Sequence, residues 1–245
     1  MTPWPYPFWI AHRGAGKLAP ENTLAAFKLG AGHGYRMFEC DVKLSQDGVL
    51  FLLHDATLDR TTNGVGTAGA QSWQALSQLD AGAWHSPAYS GEPLASFESV
   101  ARYCLDHSYF LNIEIKPTPG LEAETGFAVA NSAAQWFKNA AVLPLLTSFQ
   151  VASLQAAQQA QPHLPRALLL DELTPDWLQT ALGLGCVAVV CHYRLWNETT
   201  AAQVKQAGLK TLSYTVNDAA SVQTLRALDT DGIITDRVEL FKPDA

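Results

Sequence analysis

Short apolar runs with strand character alternate with helix-patterned segments eight times along a chain of 245 residues. The strand-like runs lie near Phe8–His12, Met37–Val42, Tyr109–Ile115, Pro144–Ser148, Arg166–Leu170, Val187–Cys191, Lys210–Val216 and Gly232–Thr235. Helical patterns fall between them, as at Thr23–Ala31, Glu122–Lys138 and Val151–Gln161. Parallel neighbours need a crossover segment, so this alternation predicts a parallel sheet. Eight units in a chain of this length predict an α/β architecture closed as a (β/α)8 TIM barrel, one domain spanning 1–245. No G-x-G-x-x-G follows the first strand, which argues against an open dinucleotide-binding sheet. One connection breaks the rhythm. About sixty residues separate the second and third strands, far more than a single crossover helix needs. This insertion, about 44–96, opens with the turn pair Asp47-Gly48 and ends before a helix from about Phe97 to His107. It is expected to cover the C-terminal mouth of the barrel, where connecting loops build sites.

Charged groups interrupt two of the apolar runs. Glu39 and Asp41 share one face of the second strand, and Glu114 and Lys116 share one face at the end of the third. A charge inside an apolar strand is costly unless it is paired or bound to a metal. Glu39, Asp41 and Glu114 are hard oxygen donors without ligand histidines or thiolates beside them, which favours Mg2+ or Ca2+ over Zn2+. The competing reading is a buried ion-pair cluster of the three acids with Lys116 and Arg13. His12 and His54 close two further apolar runs, and histidine titrates near neutral pH, so each is a candidate proton-transfer group. Read alone, His54 is equally a loop histidine bonded to Asp55. Arg13 offers a forked donor set for phosphate oxygens. Acidic ligands, two histidines and local cations together suggest metal-assisted cleavage of a phosphate ester.

The net charge of −7 excludes an ordinary nucleic-acid surface. No apolar run approaches the ~20 residues that span a bilayer, and no polybasic anchoring segment is visible, so membrane insertion is not expected. The four cysteines (Cys40, Cys104, Cys186, Cys191) show no CxxC pair and read as small buried hydrophobes in a reducing compartment, with the cytoplasm as the expected location. In Pro20-Glu21-Asn22-Thr23, Thr23 reads as a helix N-cap and Asn22 as a helper for free backbone donors, while Glu21 could orient the His12 loop. Tyr214 is either an aromatic wall over substrate or a barrel-core residue, and Asp236 could hold the rim together. The other five histidines read as ordinary structural residues, although His192 lies near a strand end.

His12-Arg13-Gly14, Pro20-Glu21-Asn22-Thr23, Glu39-x-Asp41, Asp47-Gly48, His54-Asp55, Arg60-Thr61-Thr62, Glu114-x-Lys116 and Asp231-Gly232-Ile233-Ile234-Thr235-Asp236 occur in this order along the chain. The ordered set resembles the glycerophosphodiester phosphodiesterases, above all the cytosolic bacterial enzymes, and covers essentially the whole chain. The resemblance implies a TIM barrel that hydrolyses small glycerophosphodiesters to sn-glycerol 3-phosphate and an alcohol. It further implies one divalent cation on Glu39, Asp41 and Glu114, with His12 and His54 as the acid/base pair. Arg13 and Lys116 match positions that contact phosphate. The family often has tryptophan where this chain has Tyr214, which bears on the shape of the glycerol or head-group pocket. The rival readings are a lipid-cleaving phospholipase on the same barrel and a non-catalytic phosphodiester-binding barrel.

Overall fold

A computed structural model describes residues 4–243. The order of elements is β1 (Trp9–Ala11), α1 (Leu24–Gly32), β2 (Met37–Leu44), β3 (Leu50–Leu52), α2 (Trp73–Leu76), α3 (Phe97–Asp106), β4 (Phe110–Ile115), α4 (Glu122–Trp136), β5 (Leu145–Ser148), α5 (Val151–Ala160), β6 (Arg166–Leu170), α6 (Trp177–Gly183), β7 (Ala188–His192), α7 (Glu198–Gln206), β8 (Lys210–Tyr214), α8 (Ala219–Ala227) and β9 (Gly232–Thr235). All strands except β3 pair in parallel. The sheet closes through β1, which pairs with β9 on one side and β2 on the other. This is the eight-stranded barrel with an outer ring of helices that the alternation predicts.

Closure divides each strand's side chains between two cores. Outward residues such as Phe38, Cys40, Val42, Ile113 and Val189 pack beneath the helices in the larger core, where Phe27 of α1 lies 5.3 Å from Phe38, centroid to centroid. Truncating a fully buried phenylalanine of this kind to alanine costs about 3–5 kcal/mol through lost transfer energy and the cavity left behind. Inward residues Ile10, Met37, Leu145, Ala167, Leu169, Ala188, Val190, Leu212 and Ile234 fill the barrel, and Tyr6 joins them with its hydroxyl donating to the Leu143 carbonyl at 2.8 Å. The barrel is therefore packed from below.

The insertion departs from the parallel pattern at once. β3 runs antiparallel on the end of β2, with Val42 opposite Leu52 and Leu44 opposite Leu50, an arrangement that the Asp47-Gly48 turn permits. The residues that follow build a small core of their own from Phe51, Leu53, Leu58, Ala68, Leu76, Ala81 and Leu94. Hydrogen bonds tie it to the barrel at several points: Ala25 N–H donates to Glu92 at 3.0 Å, the His85 ring meets the Lys17 carbonyl at 3.0 Å, and Leu53 N–H donates to the Asp41 carbonyl at 3.1 Å.

Candidate active site

Along most strands the inward side chains change from apolar to polar toward the C-terminal end. Ile10 is followed by His12, Met37 by Glu39 and Asp41, Leu145 by Thr147, Val190 by His192 and Leu212 by Tyr214. An apolar plug below and polar groups above leave a cavity of about 300 Å³ at the C-terminal mouth. His12, Arg13, Glu39, His54, Glu114, Lys116 and Tyr214 all line it, so seven of the eight residues read from sequence as metal, proton-transfer or substrate contacts meet around one cavity. The eighth, Asp41, lies just beneath, 1% exposed.

Parallel pairing of β2 with β4 sets Asp41 directly opposite Glu114 and Glu39 opposite Asn112. One carboxylate oxygen from each of Glu39, Asp41 and Glu114 lies within 4.8 Å of the others, and all three residues are buried. Burial first, then the neighbouring carboxylates, pushes Glu39 and Glu114 well above the usual carboxylate range. Burial also acts on Asp41, but Arg13, His54, Lys116 and the Asn22 amide outweigh it and hold this carboxyl low. The ion-pair reading holds in part: Lys116 Nζ lies 2.7 Å from Glu114 and Arg13 Nε 3.2 Å from Asp41. Yet Glu39 Oε1 and Asp41 Oδ1 are buried and accept no hydrogen bond among the described residues. Carboxylate oxygens left bare beside one another are what a hard divalent cation satisfies, so this donor set fits Mg2+ or Ca2+.

The loop between β1 and α1 is folded onto these acids. Arg13 and Asn22 both take left-handed backbone angles, at φ +50° and +61°, conformations that L residues hold only when their surroundings fix them. Arg13 N–H donates to Glu39 at 3.0 Å. Asn22 donates its amide to Asp41 Oδ2 at 2.8 Å and accepts the Asp41 backbone N–H at 3.1 Å. Its expected role at the helix start is thus replaced by a clamp on Asp41, whereas Thr23 does cap α1 by accepting from Ala26 N–H. Gly16 lets the loop approach the end of β9: a Cβ there would lie 2.1 Å from the Asp236 carbonyl oxygen, and φ is +58°.

Two of the three cavity histidines, His12 and His54, are braced by carboxylates. His12 Nδ1 lies 2.6 Å from Asp236, which also accepts from Asn217 at 2.9 Å, while His12 Nε2 points toward Glu39 at 3.8 Å. His54 Nδ1 lies 2.7 Å from Asp55. Burial lowers the His54 pKa more than Asp41 and Asp55 raise it, which favours the neutral ring. Tyr214 stands on the cavity wall with its hydroxyl donating to the Leu170 carbonyl at 3.0 Å and its ring edge-on to Phe149 and His192. His192, read from sequence as an ordinary structural histidine, shares that wall.

Two inward residues escaped sequence reasoning. Lys43 continues the Glu39, Asp41 column, is 1% exposed, and donates to the Lys116 carbonyl at 2.9 Å; burial brings its pKa to about 8. Asn112 is equally buried and presents an amide nitrogen with no acceptor. Strand alternation marks both as inward, but only closure of the barrel shows where that face points.

The profile of the Glycerophosphoryl diester phosphodiesterase family matches residues 12–240, nearly the entire chain. The chain belongs to this family. It is thereby an enzyme of a hydrolase family. A glycerophosphodiester phosphodiesterase of Caldanaerobacter subterraneus subsp. tengcongensis is 32% identical over 235 residues, covering 94% of both chains. One from Bacillus subtilis is 28% identical, covering 95% of this chain and 84% of that one. Among solved structures, an Oleispira antarctica phosphodiesterase in complex with the product sn-glycerol-3-phosphate superimposes with a TM-score of 0.89. It is 32% identical and the match covers 96% of this chain and 95% of that one. No helix among the described residues is long and apolar enough to cross a membrane.

Proposed function

We propose that this protein hydrolyses soluble glycerophosphodiesters to sn-glycerol 3-phosphate and an alcohol, using a divalent cation and two histidines. The observation that carries the reading is the convergence of Glu39, Asp41 and Glu114, with two donorless oxygens, on a cavity that also holds two carboxylate-braced histidines. The Oleispira antarctica relative, bound to sn-glycerol-3-phosphate, supports the substrate class.

Glu39, Asp41 and Glu114 would hold Mg2+ or Ca2+, which when bound neutralises phosphate charge and polarises the phosphoryl group. Arg13 and Lys116, at the edge of the acid trio, draw the phosphodiester into the cavity and fix its oxygens. His12 and His54 stand as the proton-transfer pair: one removes the proton from the nucleophile, water or the glycerol 2-hydroxyl, and the other protonates the departing alkoxide. The carboxylates on both Nδ1 atoms leave each Nε2 free for that exchange. Tyr214 and Phe149 form the apolar side of the pocket. Four free, buried cysteines fit a reducing compartment, and we place the enzyme in the cytoplasm.

The test is sn-glycerol 3-phosphate release from glycerophosphocholine and glycerophosphoethanolamine with Mg2+, with Ca2+ and with excess EDTA. Metal-dependent release is expected. Folded protein that releases nothing with either metal, or that cleaves only intact lipid in vesicles, would overturn the reading. Hydrolysis of an analogue lacking the glycerol 2-hydroxyl separates direct attack by water from a cyclic phosphate route.

A further inference from the structure

Arg60 lies in the insertion, beyond β3, and its polar partners are Asp55 and Glu21, neither of them assigned above to metal, phosphate or proton transfer. Its guanidinium nevertheless uses every nitrogen. Nε and Nη2 donate to the two oxygens of Asp55 at 2.7 and 3.0 Å, and Nη1 and Nη2 donate to the two oxygens of Glu21 at 2.8 Å each. Each carboxylate then turns to one arm of the site. Asp55 Oδ1 lies 2.7 Å from His54 Nδ1, and Glu21 Oε1 accepts Arg13 Nη1 at 2.8 Å. One planar cation therefore stands behind both the histidine and the arginine of the cavity.

We propose that Arg60 is a positioning residue that fixes His54 and Arg13 together through Asp55 and Glu21. The inference rests on the roles given to His54 and Arg13 under the proposed function. Asp55, held at both oxygens, cannot rotate away, so His54 keeps Nδ1 as the hydrogen-bonded atom and Nε2 toward the cavity. Glu21, held likewise, anchors the Arg13 fork at the edge of the acid trio. Two forks at once require the planar guanidinium; a lysine ammonium is a point charge that cannot grip both oxygens of two carboxylates in parallel. Arg60 also ties the insertion to the β1–α1 loop, but the insertion keeps its own apolar core and separate ties through Glu92 and His85. Arg60 is also 44% exposed, and exposed ion pairs add little to stability.

The experiment compares Arg60→Ala, Arg60→Lys, Asp55→Asn, Glu21→Gln and the doubles Arg60→Ala/Asp55→Asn and Arg60→Ala/Glu21→Gln, with glycerophosphocholine as substrate. Arg60→Ala is expected to lower kcat about tenfold to a hundredfold and raise KM severalfold, since displacement of a catalytic group by an ångström costs on the order of a hundredfold. Arg60→Lys should match the wild-type melting temperature without restoring kcat. The first double should lose no more kcat than Asp55→Asn alone, and the second should raise KM no more than Glu21→Gln alone. A readout independent of turnover is the 15N spectrum of the His54 ring, expected to show a single Nδ1-protonated form in the wild type and a mixture in Arg60→Ala. Arg60→Ala with kcat and KM within twofold of wild type, or an unchanged His54 spectrum, would overturn the proposal. A folded wild type that turns over no diester would refute the proposed function alone, and the His54 spectrum would still decide the role of Arg60.

Discussion

Replacing Glu39 with glutamine separates the metal-binding role proposed for this residue from what the residue costs the fold. Glu39 is 3% exposed; its Oε2 accepts the Arg13 N–H at 3.0 Å, and its Oε1 has no donor. Burial, then Asp41 and Glu114, raises its folded pKa well above the usual carboxylate range. A carboxyl whose folded pKa exceeds its unfolded value of about 4.3 costs nothing below that pH, where both states carry the proton. As pH rises toward the folded value, the unfolded chain ionises first and stability is lost at about 1.4 kcal/mol per pH unit. At pH 7 the ceiling for this one group is therefore about 4 kcal/mol. Glutamine carries no charge and still offers an oxygen to the Arg13 N–H. Metal-free Glu39→Gln should thus melt above metal-free wild type at pH 7, by roughly 2–4 °C per kcal/mol recovered in a chain of this size, and the gap should close toward pH 4. Metal should reverse the order. At a hundred times its Kd, a ligand adds about 2.7 kcal/mol, or roughly 5–10 °C here, to wild type. The glutamine variant, short of one of three anionic donors, should gain almost nothing. Scanning calorimetry between pH 4 and 8, in EDTA and in Mg2+ or Ca2+, reads both effects. A variant that keeps the wild-type metal shift, or that is less stable than wild type in EDTA at pH 7, would refute the reasoning.

His54→Ala should turn over at least about a hundredfold more slowly while its metal-induced melting shift stays intact; full kcat at saturating substrate would remove His54 from the chemistry. Asp236→Asn should lower kcat on the order of tenfold or more by loosening the 2.6 Å contact to His12 Nδ1, with unchanged circular dichroism as the control. Gly16→Ala should cost at least about 2 kcal/mol, because it combines a left-handed backbone with a Cβ driven into the Asp236 carbonyl. A thermal melt unchanged within 2–3 °C would speak against that packing, given roughly 2–4 °C per kcal/mol in a chain of this length.

The local levels of structure were legible in the chain itself. Periodicity marked all eight barrel strands and the helices between them, because a strand repeats every two residues and a helix every 3.6 whatever the surroundings. The same alternation placed Glu39 with Asp41 and Glu114 with Lys116, and the chemistry of hard oxygen donors proposed a cation for them. What alternation cannot express is which way a face points once strands meet. Closure through β1 turned the polar halves of separate strands toward one mouth, set Asp41 opposite Glu114, placed Asn112 in the cavity lining and buried Lys43 against the Lys116 carbonyl. Apart from the neighbouring pair His54–Asp55, the contacts that brace the site were beyond reach for the same reason. Asp236 lies 224 residues from His12 and Arg60 lies 39 from Glu21, and no local pattern encodes a hydrogen bond between chain segments that only the closed barrel brings together. Sequence chose the elements and the chemistry of their ends, and tertiary closure chose the partners, because side-chain period is a property of one strand and proximity a property of them all.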